Sequence, residues 1–172
     1  FIGSGIENAI FADGATTTGE HTFNGTGLKS VTLVSTQTVI GACAFMGCDK
    51  LETVYLPTTV ERIERQAFAD ARKLSVVGGL DRAEYIGDGA FMNTALTSIT
   101  LNKAKYIGYA AFSAERSKLQ TVDMPIVETI GSYAFRNAKM ATQSLPATLK
   151  TLGAGAFDNA QNLSGVTFPG GN

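Results

Sequence analysis

Apolar positions recur along this chain in a fixed order. Copies of one pattern begin at Ile6, Leu28, Leu51, Leu74, Leu96, Leu119, Met140 and Leu163. Three residues later comes a second apolar position: Val31, Val54, Val77, Ile99, Val122 and Val166. A third follows at Leu33, Leu56, Leu101, Met124, Leu145 and Phe168. L-x-x-V-x-L puts the last two on one side of a short strand, because strand side chains alternate. Pro57, Pro125, Pro146 and Pro169 suit a residue that ends a strand, since proline gives no ladder donor. Each copy then reaches Ile40, Ile63, Ile86, Ile107, Ile130 or Leu152, usually followed by Gly, and an Ala-Phe pair. Glu64 replaces that Gly once, so positive φ is not demanded there.

The phenylalanines Phe23, Phe45, Phe68, Phe91, Phe112, Phe135 and Phe157 are 22, 23, 23, 21, 23 and 22 residues apart. Such a period predicts a solenoid of stacked turns whose core exists only between neighbours. The Ile step reads as a second strand-like piece and A-F-x-x-x as a single helical turn. The Phe rings are expected to form a spine. Truncating one costs about 3–5 kcal/mol, more at Phe91, with two neighbours, than at Phe23, with one.

Departures from the pattern carry expectations too. Residues 1–27 keep Ile6, Phe11 and Phe23 but place Thr18 at the Ile position, which predicts a degenerate, cap-like repeat ahead of the repeats in 28–172. Asp13–Glu20, DGATTTGE, reads as a loop. Gly78-Gly79 before Leu80 predicts a strand bulge. Gln143 falls at an inward position, as a weak spot or a satisfied buried amide. The last copy is incomplete, stopping at Phe168-Pro169 with nothing over its outer face. That predicts either further chain or self-association through the uncapped turn.

The pattern L-x-x-V-x-L-P-x-x-V-x-x-I-G-x-x-A-F-x-x-C resembles the BspA-like leucine-rich repeats of bacterial surface proteins. LETVYLPTTVERIERQAFADA from Leu51 and LQTVDMPIVETIGSYAFRNA from Leu119 match it most fully. The family's Cys appears as Cys48, with Ala71, Thr94, Ala138 and Ala160 in its place elsewhere. The resemblance implies an α/β repeat solenoid: a right-handed leucine-rich-repeat superhelix with one parallel sheet and short helical or strand-like turns opposite. It also implies a secreted or cell-surface interaction module, with adhesion to host matrix proteins or other cells, and no catalytic residues.

Composition changes little. The chain has 172 residues, 44% hydrophobic and 17% charged, with formal net charge −1. This argues against a nucleic-acid or anionic-membrane footprint, which needs clustered Lys and Arg. No apolar run is long enough to span a membrane. FIGSGIENAI lacks the basic start and apolar core of a signal peptide, which could have been removed earlier.

Candidate chemistry is sparse. His21, the single histidine, has no Cys or carboxylate cluster at metal spacing, so neither a metal, a cofactor nor a triad is expected. Cys43 and Cys48 read as two small buried thiols, with a local disulfide as the other possibility. VGGLD and GAGAF are turn glycines, not phosphate loops. Asn24-Gly-Thr26 and Asn162-Leu-Ser164 fit the glycosylation pattern. Asp81 and Glu84 read as solvated variable positions.

The expected binding surface is the outward side of the strands. One column holds Thr32, Tyr55, Gly78, Thr100, Asp123, Ser144 and Thr167; beside it run Ser30, Thr53, Val76, Ser98, Thr121, Thr142 and Gly165. This hydroxyl-rich face is either a solvated β-favouring ladder or a flat platform for a protein or glycan. Of the residue types that dominate interface energy, only Tyr55 stands on it. Tyr85, Tyr106, Tyr109 and Tyr133 form a second cluster near the turns. The alternative function is a structural spacer with no ligand; an enzyme is disfavoured.

Overall fold

The structure, a computed structural model, describes residues 1–168. Pro169, expected to close the last strand, lies outside that range. Among the described residues the chain winds into a parallel β-solenoid with fifteen short strands and a single three-residue 3-10 turn, Leu80–Arg82.

The strands fall into two columns. The first holds the L-x-x-V-x-L segments: β1 (Asn8–Ile10), β3 (Ser30–Thr32), β5 (Thr53–Tyr55), β7 (Val76–Gly78), β9 (Ser98–Thr100), β11 (Thr121–Asp123), β13 (Thr142–Ser144) and β15 (Gly165–Thr167). The second holds the Ile steps: β2 (Thr17–Thr18), β4 (Val39–Ile40), β6 (Arg62–Ile63), β8 (Tyr85–Ile86), β10 (Tyr106–Ile107), β12 (Thr129–Ile130) and β14 (Thr151–Leu152).

The expectation of one parallel sheet on the L-x-x-V-x-L side is corrected. The continuous, seven-stranded sheet runs through the Ile steps, while the first column pairs two by two: β1 with β3, β5 with β7, β9 with β11, β13 with β15. Spacing supplies the reason. From the Ile position to the Phe is five residues in every copy, counting Thr18 and Leu152 as that position. From the Phe to the next opening Leu or Met varies between five and seven. The Ile step and the Phe are therefore joined by a constant link, whereas the first-column strands hang on links of unequal length.

The helical turn through A-F-x-x-x is also corrected; these residues form successive β-turns. Around Phe45, alternate N–H groups bond within the turn (Ala44 to Gly41 O, 3.2 Å; Met46 to Cys43 O, 3.3 Å) and across it (Cys43 to Arg65 O, 2.9 Å; Gly47 to Ala69 O, 2.8 Å). Residues two before each Phe, from His21 to Gly155, all have positive φ, and so do most of those two after it, such as Asp70 and Asn137. Left-handed residues at that spacing forbid a helix. Each Phe from Phe23 to Phe135 donates its N–H to the carbonyl of the Ala before the next Phe, at 2.8 Å every time. This makes a second unbroken axial ladder.

The core lies between these columns. Ile40, Ile63, Ile86, Ile107 and Ile130 are fully buried, as are Ala44, Ala67, Ala90, Ala111 and Ala134. The seven phenylalanines stack face to face, with centroids 5.1–5.6 Å apart and planes within 13°. Phe23 is not an end ring with one neighbour: Phe1 stacks on it at 5.5 Å and Phe11 meets it edge-on at 5.9 Å. Where glycine follows the Ile, close approach rather than φ favours it, although one copy accommodates Glu64. A Cβ at Gly87 would sit 2.7 Å from Arg65 N, and one at Gly131 2.5 Å from Gly108 C.

Three local expectations resolve. Asp13–Glu20 is not all loop, because Thr17–Thr18 pairs with Val39–Ile40 and the buried Thr18 hydroxyl accepts the Gly41 N–H at 2.7 Å. No bulge occurs at Gly78: β5 and β7 pair in plain register, and the departure is Gly79, left-handed at φ 79°, leading into the 3-10 turn that carries buried Leu80. Gln143 is a satisfied amide, donating to Ser144 O at 2.8 Å and Val122 O at 3.4 Å.

Candidate interaction surfaces

The first-column side places Thr32, Tyr55, Ser98, Thr100, Thr121, Asp123, Thr142 and Ser144 in solvent, with Thr53 half-buried. Register sets Ser98 beside Thr121 and Thr100 beside Asp123. The inward partners Val54, Ile99 and Val122 are buried, so alternation fixes which side chains face out. The Tyr55 ring lies over Gly78, where a Cβ would come within 2.6 Å of the ring, yet the residue stays 71% exposed. Any larger residue at position 78 would displace that ring.

Between β7 and β9 the ladder is open. A cleft of ≈ 380 Å³ occupies the gap, lined among others by Ser75, Val76, Asp81, Ser98, Thr100 and Asn102. It begins where Gly79 turns the chain into Leu80–Arg82. The sequence flagged these glycines but not the cleft.

The second tyrosine cluster divides into two pairs. Tyr85 and Tyr106 stack at 4.8 Å, with the Arg62 guanidinium 4.0 Å over Tyr85. Tyr109 and Tyr133 meet edge-on at 6.0 Å, with Arg136 over Tyr133 at 5.6 Å. Partial burial, then the charges of Asp88 and Tyr85, push the Tyr106 phenol above its ordinary value.

The remaining candidates occupy structural places. His21 is exposed and its Nδ1 lies 3.0 Å from Asn24 Nδ2. Cys43 and Cys48 are buried free thiols. Cys48 donates to Phe23 O at 3.1 Å, and burial raises its pKa. Asp81 pairs with Arg82 at 3.5 Å, Glu84 with Lys105 at 2.9 Å. Thr26, the acceptor-motif threonine, is buried with its hydroxyl on Phe23 O. Among the described residues no three His, Cys, Asp or Glu side chains converge to hold a metal, and no helix is long and apolar enough to cross a membrane. Val166 and Phe168 of the last turn are exposed.

A polar ladder escaped the sequence reading. Asn93 donates to Asp70 at 3.0 Å, Asn137 to Ala114 O at 3.0 Å, and Asn159 to Asn137 at 2.6 Å. Its signal is Gly, Asp or Asn two residues after Phe, the types that tolerate a left-handed backbone.

No curated protein matches the chain in sequence. Solved structures match its fold, two of them as follows. A leucine rich cell surface protein from Faecalibacterium prausnitzii A2-165 superposes with TM-score 0.82 at 25% identity, over 95% of this chain and 48% of that one. A leucine-rich repeat protein from Bacteroides ovatus ATCC 8483 gives TM-score 0.77 at 25% identity, over 95% and 49%. The chain thus spans about half the length of each. A family model described as a BspA type leucine rich repeat region, in six copies, matches residues 1–117 and 84–172. Such repeats point to an interaction role, and the chain belongs to the BspA-type leucine-rich repeat family.

Proposed function

We propose that this chain is the recognition part of a secreted or surface-displayed adhesive protein. It binds a protein of the host matrix or of another cell through the outward side of the first strand column. The observation that carries this is Tyr55: a large, rigid side chain spread over Gly78, highly exposed, beside a cleft whose strand edges are unpaired. Tyrosine in such a setting supplies contact area at small entropic cost. Thr100, Asp123 and Ser144, two, three and four turns further along the same column, add adaptable hydrogen-bonding groups. The F. prausnitzii relative is described as a cell surface protein, which supports the location.

Immobilised matrix proteins and whole cells provide the test. The chain is expected to be retained, and Tyr55→Ala combined with Asp123→Ala to lose retention while keeping its circular dichroism and Tm. Equal retention of the variant would remove the open face from the interaction. No retention of the parent chain would leave the spacer reading, which the two unbroken axial ladders favour because they suit a rigid extension between other domains.

A further inference from the structure

One edge of the solenoid, where the chain leads into the first-column strands, concentrates positive charge that the proposed adhesion does not use. It is built from the residues between the second position after each Phe and the next opening Leu or Met. These segments carry Lys50, Arg72, Lys73, Arg116, Lys118 and Lys139 against Asp49, Asp70 and Glu115. The edge is therefore net +3 on a chain whose total is −1. All six cations are exposed. Among the described residues Lys73, Arg116, Lys118 and Lys139 make no ion pair, and the contacts of Lys50 with Glu7 (3.9 Å) and Arg72 with Asp70 (3.8 Å) are long.

Loop length then shapes a recess in this edge. Phe91 and Leu96 are five residues apart, whereas Phe68 and Leu74 are six and Phe112 and Leu119 seven. The middle turn is short and ends on Ala95, so its longer neighbours stand proud on both sides. The resulting hollow, ≈ 560 Å³, is lined by Arg72, Asn93, Thr94, Ala95, Ala114, Glu115, Arg116 and Lys118. Three of its side chains are cations and one is an acid. Hydrogen bonds hold the walls in place: Ala95 N–H donates to Leu74 O at 2.9 Å and Glu115 N–H to the Asn93 side-chain Oδ1 at 3.3 Å.

We propose that this edge binds a linear anionic polysaccharide running along the solenoid axis, with one sulfate or carboxylate seated over Ala95 between Arg72, Arg116 and Lys118. The parallel ladders set the rise per turn at about 4.8 Å, and the ring centroids, 5.1–5.6 Å apart, follow it with a small offset. Cations stand at Lys50, at Arg72 and Lys73, at Arg116 and Lys118, and at Lys139, with the uncharged turn of Ala95 between the second and third groups. Neighbouring groups are therefore one or two turns apart, a step comparable with one or two sugar residues of an extended chain. A nucleic acid fits less well. The interleaved acids repel a dense phosphate array, and the edge offers no aromatic ring for a base to stack on. An acidic peptide fits less well too, because the backbone N–H groups of Leu51, Leu74, Ala95 and Lys139 are already bonded and present no strand edge. Arg72 and Arg116 supply the planar forks suited to sulfate and carboxylate oxygens.

The test is titration of the intact chain with a size-defined heparan sulfate octasaccharide. A hyaluronan octasaccharide serves as the carboxylate-only arm, with single-stranded DNA and polyglutamate as competitors. Binding of the sulfated or the carboxylate oligosaccharide is expected, with log affinity falling linearly in log salt. Arg116→Ser with Lys118→Ser should weaken it about tenfold or more, since charge-assisted hydrogen bonds are lost. Ala95→Glu should abolish it by filling the hollow with like charge, and Tyr55→Ala should leave it unchanged. An unaltered Tm in each variant excludes unfolding as the cause. The proposal fails if neither oligosaccharide binds at low salt, if affinity survives both edge variants, or if DNA or polyglutamate binds more tightly than the sugars. Loss on Tyr55→Ala alone would assign the sugar to the open face instead.

Discussion

The two strand columns are made by the same chain at the same period, yet one is a continuous sheet and the other four separate pairs. Strand quality does not separate them, since the first-column strands are the longer, three residues against two. What separates them is the tether. The Ile step is bound to the Phe spine by five residues in every copy, so stacking the rings automatically aligns the backbone beside them. The first column is attached through links that vary. The unbroken ladder is the one tied to the ring stack by a constant link, while unequal links break the other column without forbidding pairing, since β9 and β11 follow links of five and seven residues and still pair in register. The variable side is then where clefts and recesses appear.

The contrast can be broken most severely at its shared anchor. Phe91→Ala should cost about 3–5 kcal/mol by urea unfolding. Phe23→Ala should cost a similar amount, because Phe1 and Phe11 give that ring a full set of neighbours. A loss below about 1 kcal/mol at Phe91 would mean the rings are not what joins the turns.

Next comes a matched pair of identical substitutions. Gly131→Ala in the closed column brings a Cβ within 2.6 Å of Tyr109 N, against backbone that cannot yield, and should destabilise by about 1–3 kcal/mol. Gly165→Ala in the open column meets nothing nearer than Thr142 Cγ2 at 3.9 Å. It should be neutral or stabilising by about 0.4–1 kcal/mol through the unfolded chain. Equal effects in a thermal melt would erase the distinction between the columns.

Thr100→Ala on the open face should change stability by no more than about 0.5 kcal/mol. Smallest of all is the response to acid. Hydrogen bonds from Lys29 and Lys150 hold the Glu7 and Glu128 carboxyls below their ordinary range. A depressed carboxyl pKa gives stability that is present above the unfolded value and lost as pH falls through the folded one. Since all four side chains are exposed, the Tm should drop slightly on acidification below about pH 4, and high salt should remove the drop. A Tm that rose on acidification would contradict the pairing.

The period and the inward positions were legible because stacking constrains them in every copy: the Phe, Ala and Ile columns must recur or the core opens. The backbone between them was less legible. A-F-x-x-x has the composition of a helical turn, and nothing about Cys43, Gln66 or Tyr133 announces a left-handed residue. Only the Gly, Asp and Asn positions after Phe hinted at it. The recess over Ala95 was invisible for a different reason. It is a difference between neighbouring loop lengths, and aligning copies on their Phe hides such differences as gaps. The outward Thr and Ser positions were predictable from alternation alone, but alternation does not say what touches them.

The ladder from each Phe N–H to the next Ala carbonyl runs parallel to the stacking direction. A force applied between the ends of the array therefore loads these bonds one rung at a time instead of shearing them together. Under tension the molecule should lengthen in discrete increments, each releasing one turn of 21–23 residues, or roughly 70–80 Å of chain. A protein built this way yields gradually, keeping the remaining turns in place while the outermost one gives way.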